Sequence, residues 1–494
     1  MNPAPRPLIT LLDDAVGRHG GEIALRTGTD EWTYRELDAM VDRYARGLAA
    51  HGVTRGSRVG LSAGNSPAFV AVVFAVARLG ATLVMISTAW RDREVAHALE
   101  LTGPTHYVHD GSGATALHEL ITDRPVVSVD ELEAGEHGSF PSSESDLDDL
   151  AVMVFSSGTT GLPKAVRHTH RTMHAATVHW VETLGLSGAD RLQIATPPFH
   201  ILGLLNLYAV VAAGASVRLH RRFDLDAVLT AIEHDRITIE MAVAPIALAM
   251  ASHPDLERFD LSSLRYIMWG ATPVTPSVAE AVTRRSGVRF LPAYGASELP
   301  VIAVNPVDRP REWRLDSVGI PPRGVEVRVV DLETGNVLPP GATGELQARS
   351  PSLMIGYLPE SADDDAIVDG WYRTGDVGAI DGNGWVTITD RVKEMIKVNG
   401  FQVAPAEVEG VLLGHPGVVD CAVYGVPDAS TGEAIVAAVV CGADSSVTAE
   451  ELRALVAADL AGYKRVAAVR FMEHIPRLPS GKVLRRELKS NHGS

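Results

Sequence analysis

Cysteine is nearly missing from this sequence. Its two cysteines, Cys421 and Cys441, cannot build a disulfide framework and lack zinc-ligand spacing. A reducing compartment follows, and a cytoplasmic location is expected. An excess of positive charge is missing too. Lys and Arg number 44 against 61 Asp and Glu, a net charge of −17, which argues against a nucleic-acid binder. The first residues, MNPAPRPLITLLDD, lack a basic region followed by an apolar run, so no signal peptide is expected. The two longest apolar stretches, 67–86 and 197–217, contain Arg78 and Gly80 in one and His200 and Asn206 in the other. Such residues are costly in a bilayer, so both stretches read as buried core elements and not as membrane spans.

Lysine is scarce as well. Only six of the 44 basic residues are lysine, and Lys164 is the only one before residue 390. In so arginine-biased a chain, a surviving lysine is either chance or a place where a compact ammonium cannot be replaced by a planar guanidinium. The neighbourhoods of Lys164 and Lys482, described below, favour the second. Charge is uneven along the chain. Residues 391–494 carry as many basic as acidic residues, so residues 1–390 hold the whole −17. That shift predicts a domain boundary near 390.

With 494 residues, 46% of them hydrophobic, the chain is too long for one compact core at ~100–200 residues per domain. Apolar spacing predicts helices over 32–51, 68–79 and 91–101, and strands over 57–63, 82–86 and 151–155. This alternation indicates an α/β fold with parallel-type sheets. Valine-rich stretches broken by Pro and Gly, 318–330 and 344–348, predict a β-rich subdomain. Residues 418–426, 434–440 and 449–460 predict a compact α+β lobe. The polar stretch 111–148 reads as a surface segment. The expected architecture is therefore a large N-terminal domain of several subdomains, 1–389, and a small C-terminal domain, 391–494.

The densest chemistry lies in SSGTTGLPK, residues 156–164, directly after an apolar strand. Two glycines permit close backbone approach, four hydroxyls and successive N–H groups suit phosphate oxygens, and Lys164 adds a point charge. A Walker loop is the obvious rival. Its glycine and lysine are adjacent and a hydroxyl follows, whereas here Leu162 and Pro163 intervene and no hydroxyl follows Lys164. Residues 156–164 resemble the phosphate loop of the adenylate-forming superfamily: acyl- and aryl-CoA ligases, peptide-synthetase adenylation domains and luciferases. The resemblance runs over essentially the whole chain and implies a nucleotide site built from Ser156, Ser157, Gly158, Thr159, Thr160, Gly161 and Lys164.

The other motifs follow in the family's order. Residues 293–298, AYGASE, are similar to its glycine–tyrosine–glycine–x–threonine–glutamate segment. Tyr294 offers a flat face for adenine and Glu298 a hard oxygen ligand for Mg²⁺; the resemblance implies a nucleotide-binding place for Gly295 and puts the Ser297 hydroxyl near the phosphate. The resemblance makes Glu298 a metal ligand, with Thr159 as a second. Ala293 stands where relatives have glycine and implies a shallower acyl pocket. Gly270, Ala271 and Thr272 resemble the turn beside the adenine. Asp376, in YRTGD, has the acceptor-only carboxylate that suits a ribose diol, and Arg391 resembles the ribose-contacting arginine. Asp390 matches the hinge. In 393–403, KEMIKVNGFQV, Gly400 and Asn399 would meet the pantetheine arm of CoA, while Lys397 approaches the reacting groups. Lys482, in PSGK near the end, resembles the lysine that contacts the acyl carboxylate and α-phosphate during adenylation; alone, it reads as part of a basic tail.

For the acyl end, the resemblance points to His200, Leu202, Asn206, Leu299 and Val301. On sequence alone, the helix carrying His200 reads as buried core. Residues 241–246, MAVAPI, hold no carboxylate for an α-amine, so a hydrophobic, amine-free acid is expected. Arg222 lies where relatives place a basic residue near the CoA phosphates. The implied activity is ATP-dependent, Mg²⁺-assisted acyl adenylate formation followed by thioester formation with CoA. A ligase that loads a carrier protein, one specialised for a single half-reaction, and a non-catalytic nucleotide or CoA binder are the alternatives. A monomer or homodimer is expected.

Overall fold

The computed structural model describes residues 4–490 other than 112–120, 122–123, 137, 157–162, 271–275, 363–364, 400, 429, 443–446 and 478–482, and only the backbone at Ala362 and Gln402. By packing, the chain divides into two units. One comprises 1–242, 246–327 and 348–373; the other comprises 243–245, 328–347 and 374–494. The second unit therefore takes in segments well before residue 390.

The first unit holds two large sheets. One runs in the order Gly356–Leu358, Lys164–Thr169, Leu150–Ser156, Thr82–Met85, Arg58–Ser62, His106–His109, Val126–Ser128. Its inner strands are parallel, and Thr82–Met85 is buried throughout, as a sheet covered on both faces requires. The last two strands, Lys164–Thr169 and Gly356–Leu358, are antiparallel additions at one edge. The other sheet runs Ala303–Val304, Phe290–Tyr294, Tyr266–Trp269, Ile239–Ala242, Arg191–Ile194, Ser216–Leu219, Ile23–Thr27, Asp30–Thr33.

Local signals set the helices. Tyr34–Ala50 starts at a capping box in which Thr33 Oγ1 accepts from Glu36 N and the Glu36 carboxylate accepts from Thr33 N. Pro67–Arg78 starts with Ser66 Oγ accepting from Phe69 N at 3.1 Å and with proline at its first position. The apolar stretch 67–86 is thus a 12-residue helix and a strand. Twelve residues span about 18 Å, short of a bilayer core. Among the described residues no helix is long and apolar enough to cross a membrane.

Two expectations are corrected. The polar stretch 111–148 is not merely surface: Val126–Ser128 pairs in parallel with His106–His109, and Val129–Glu133 is a short helix. Val127, fully buried at its centre, carries this strand, with Val126 half-buried beside it. Within 318–330 only Glu326–Val330 is a strand, because Pro321, Pro322 and Gly324 interrupt the rest.

The second unit contains most of a five-stranded sheet in which Val386–Arg391 pairs antiparallel with Trp371–Ile380. It also contains the α+β lobe. There Val418–Asp428 and Gly432–Cys441 form a long antiparallel pair, Val466–Phe471 adds in parallel, and Ile396–Val398 and Phe401–Val403 complete the sheet. Val408, Leu412, Leu452 and Val456 from helices Pro405–Leu413 and Ala449–Asp459 join Val423, Ile435 and Val439 in its core. Both cysteines are free, and burial raises the pKa of the Cys421 thiol.

The charge inside the apolar stretch 67–86 is also explained. Arg78 is 3% exposed, and its guanidinium binds Asp38 at 2.6 Å, Asp13 at 3.3 Å and Asp42. Three carboxylates share one buried cation. Arg78→Ala should therefore destabilise the first unit by about 3–5 kcal/mol, the cost of breaking a buried ion pair by removing one partner. Chemical denaturation checks this; a loss below about 1 kcal/mol, typical of a surface pair, contradicts it.

Candidate active site

Ser156 ends the strand Leu150–Ser156 and pairs directly with Lys164, which opens Lys164–Thr169. The loop between them is therefore clamped at both ends. Its predicted nucleotide residues Ser157, Gly158, Thr159, Thr160 and Gly161 lie outside the described residues. The far end is held again where the His97 ring binds the Pro163 carbonyl at 3.0 Å. Lys164 begins a strand and not a helix, which separates this segment from a Walker loop.

Residues 293–298 fold back on themselves. Ala296 N donates to Leu299 O at 3.0 Å and Ile302 N to Tyr294 O at 2.9 Å. A Cβ on Gly295 would lie 2.0 Å from the Pro300 carbonyl oxygen, so only glycine fits. The turn presents Ser297, half-buried, and Glu298, 7% exposed. Tyr357 donates its hydroxyl to Glu298 Oε1 at 2.6 Å, while Glu298 Oε2 carries no hydrogen bond from a described residue. The ring of Tyr357 lies 5.1 Å from Lys164 Nζ. One tyrosine therefore touches both the phosphate-loop lysine and the carboxylate.

Among the described residues no cluster of three His, Cys, Asp or Glu could hold a metal. A cation at Glu298 would have to bring phosphate or water oxygens with it. One hard, nearly buried carboxylate with one oxygen open fits magnesium in that way.

A second pin comes from His168. Its Nε2 lies 2.8 Å from the Ser297 carbonyl and its Nδ1 lies 3.1 Å from Thr172 Oγ1. A carbonyl only accepts, so Nε2 carries the proton and Nδ1 accepts from the Thr172 hydroxyl. Complete burial lowers the His168 pKa to about 4, and burial does the same to His170.

Gly270 follows the strand Tyr266–Trp269, and a Cβ there would meet the Met268 sulfur at 3.3 Å. Ala271 and Thr272 lie outside the described residues. Ala293 pairs with Val304 and Tyr294 with Ala303. At the expected acyl end, His200 precedes the helix Ile201–Ala213 and packs on Phe199, ring centroids 4.5 Å apart. His200 is exposed at its surface, yet the protein packed around its ring lowers its pKa by desolvation. Leu202 is half-buried. Asn206 is buried and its Oδ1 accepts from Trp180 Nε1 at 2.7 Å, while Leu299 and Val301 are fully buried in core clusters. Asn65 Nδ2 donates to the carbonyls of Thr196 at 2.9 Å and His220 at 3.0 Å, which steadies the approach to His200. Arg222 is exposed.

In the second unit, Asp376 is 5% exposed and its Oδ1 accepts from Arg391 Nε at 2.7 Å. Strand pairing sets this, since Asp376 lies opposite Arg391. Asp390 accepts from Arg391 N at 2.7 Å and from Ala406 N at 2.9 Å, and burial raises its pKa to about 6. Lys397 is exposed on Ile396–Val398. Val398 pairs with Phe401, and Asn399, which follows Val398, has φ +52°. Gly400 and Lys482 lie outside the described residues. Tyr357, His168 and Asn65 had no signal in the sequence: each reads as an ordinary strand or loop residue.

Comparison with known proteins agrees with these motifs. Residues 12–358 match the model of the AMP-binding enzyme family, and residues 407–482 match that of the AMP-binding enzyme C-terminal domain. The chain belongs to the AMP-binding enzyme family. More particularly, it is similar to feruloyl-CoA synthase of Amycolatopsis sp, 36% identical over 477 residues, covering 95% of this chain and 96% of the relative. It is also similar to 4-coumarate–CoA ligase 2 of Oryza sativa subsp. japonica, 35% identical over 508 residues, covering 95% and 89%. Among solved structures it matches ATP-bound MatB from Rhodopseudomonas palustris with a TM-score of 0.93 and 27% identity, over 99% of each chain. It matches o-succinylbenzoate CoA synthetase from Bacillus subtilis, bound to its acyl-adenylate intermediate, with a TM-score of 0.88 and 31% identity over 98% of each.

The buried histidines set an acid limit. Their folded pKa of about 4 lies below the ordinary 6.5, so the unfolded chain binds more protons between those values. Their contribution to stability is whole above pH 6.5 and is lost as pH falls toward 4. His168→Gln, which keeps a donor for Ser297, should flatten the fall in unfolding free energy over that window. An unchanged pH slope contradicts the assignment.

Proposed function

We propose that the protein is an ATP-dependent acid:CoA ligase that activates an aryl acid of the hydroxycinnamic kind. The observation that carries this reading is the clamped loop 156–164, with Lys164 and the nearly buried Glu298 both in contact with Tyr357. The feruloyl- and 4-coumaroyl-activating relatives support the substrate class. So does the lack of a charge for an α-amine: Glu240, beside 241–246, is buried against Gln193, and burial raises its pKa to about 8.

A carboxylate is a poor acyl donor because oxide is a poor leaving group. In the first half-reaction a carboxylate oxygen attacks the α-phosphorus of ATP, a P–O bond forms, and pyrophosphate departs. This step needs positioning and charge neutralisation, not a protein nucleophile. Lys164 and the hydroxyls of the loop hold the β- and γ-phosphates. Glu298, with Thr159, would hold Mg²⁺, which would supply neutralisation of the phosphate charge. Tyr294 faces the adenine, beside Gly270, Ala271 and Thr272. Asp376 accepts from the ribose hydroxyls, and Arg391 fixes its carboxylate. Lys482 meets the α-phosphate and the attacking carboxylate, with Lys397 near the reacting groups. His200, kept neutral by its surroundings, lies at the carboxylate end of a pocket that includes Leu202 and Ala293.

In the second half-reaction the CoA thiol attacks the acyl carbonyl, a C–S bond forms, and AMP departs. Asn399 and Gly400 flank the pantetheine arm, and Arg222 meets the CoA phosphates. Lys482 and Gly400 belong to different half-reactions, so a C-terminal domain, 391–494, turns about a hinge at Asp390 between them.

Two variants test the reading. Lys482→Ala should slow acyl-adenylate formation by at least ~100-fold, the scale of one oriented charge in a transition state. Thioester formation from supplied acyl-AMP should persist; equal loss of both half-reactions contradicts the assigned role. Asp390→Pro fixes φ at the hinge and should impair one half-reaction, thioester formation, far more than the other. If both fall equally in a folded variant, or neither falls, Asp390 is not the hinge.

A further inference from the structure

Three observations meet at Tyr357, which has been given no role of its own above. First, strand register sets its place. Gly356–Leu358 lies antiparallel to Lys164–Thr169 with Tyr357 opposite Val166. Cross-strand partners share a face, and residues two apart on a strand share it too, so Tyr357 and Lys164 are diagonal neighbours. Second, the two ends of the tyrosine do different things: the ring faces the Lys164 ammonium, and the hydroxyl donates to Glu298 Oε1. Third, Lys164 and Glu298 carry opposite charge close together, yet they form no ion pair with each other or with another described residue.

An ion pair between Lys164 and Glu298 would satisfy both charges internally. The ammonium would be lost to a phosphate and the carboxylate to a cation. We propose that Tyr357 is a positioning residue that prevents this. Its ring seats the lysine by cation–π attraction, and its hydroxyl holds the carboxylate in one orientation with Oε2 open. The ligand served is the magnesium complex of a nucleoside triphosphate: phosphate for Lys164 and the metal for Glu298. Main-chain bonds back the arrangement. Met354 N donates to Glu298 O at 2.8 Å and Ile355 N to Arg167 O at 3.0 Å, so the segment that carries Tyr357 is tied to both partners. The identity of the ligand rests on the ligase reading; the separation of the two charges rests on the geometry.

The test is calorimetric titration of the whole protein with ATP, in EDTA and across a magnesium series. Tyr357→Phe keeps the ring and removes the hydroxyl. The magnesium concentration for half-maximal ATP binding should rise about ten-fold, the scale of one hydrogen bond to a charged group, while ATP affinity in EDTA stays unchanged. Tyr357→Leu removes the ring as well, lets Lys164 and Glu298 pair, and should weaken ATP binding in EDTA also. A merely structural tyrosine would lower the unfolding midpoint and weaken both kinds of binding together. A folded Tyr357→Phe protein with unchanged magnesium dependence, or one that loses metal-free and metal-bound affinity equally, overturns the proposal. If the unaltered protein binds no ATP at all, the ligase reading fails, and the proposal fails with it. If the unaltered protein binds ATP and only the variants behave otherwise than stated, Tyr357 alone loses its role.

Discussion

The antiparallel pairing of Ser156 with Lys164 is the constraint on which the rest of the first unit's chemistry depends. A nine-residue segment rich in glycine and hydroxyls has too much conformational freedom to cradle a phosphate unaided. Pairing its end residues, Ser156 and Lys164, fixes their separation before any ligand arrives. It also makes Lys164 the first residue of a strand, so the ammonium is aimed by sheet geometry and not by a helix end. The strand it opens then reaches His168, whose ring binds Ser297, and it accepts Gly356–Leu358 as a neighbour, which brings in Tyr357. Lys164, Glu298 and the turn that carries Glu298 are thus braced from one edge of one sheet.

The second unit uses the same device for another group. Strand pairing sets Asp376 opposite Arg391, so the carboxylate assigned to a ribose is held at 2.7 Å by a guanidinium from the adjacent strand. Asp390, one residue earlier, spends its carboxylate on two backbone N–H groups, one of them at the start of the helix Pro405–Leu413. Its raised pKa marks a charge held in a poorly solvated place.

Much of this was legible in the sequence. Apolar periodicity located the helices Tyr34–Ala50 and Pro67–Arg78 and the strands of the parallel sheet, because burial on one stripe or on both faces leaves a direct mark on residue order. The phosphate loop stood out because glycine, hydroxyl and a rare lysine have few structural uses together. What was not legible depends on contacts distant in sequence. Tyr357 is 59 residues from Glu298, and His168 is 129 from Ser297. Neither position departs from an ordinary strand pattern. Arg78 looked like an interruption of an apolar run because its three aspartates lie up to 65 residues away. Val126–Ser128 was hidden by its polar surroundings. The pairing of Val398 with Phe401 had a missed local signal, since the sequence Asn-Gly between two short apolar runs is a strong hairpin marker.

Central to the proposed function is the activation of a carboxylic acid by adenylation at a site that includes Lys164 and Glu298. Acid-dependent exchange of labelled pyrophosphate into ATP measures that step alone, without any thiol acceptor. The account predicts exchange that requires magnesium, is driven by hydroxycinnamic acids, and is not driven by α-amino acids. ATP binding with no exchange for any carboxylic acid, or exchange driven by amino acids, would contradict it.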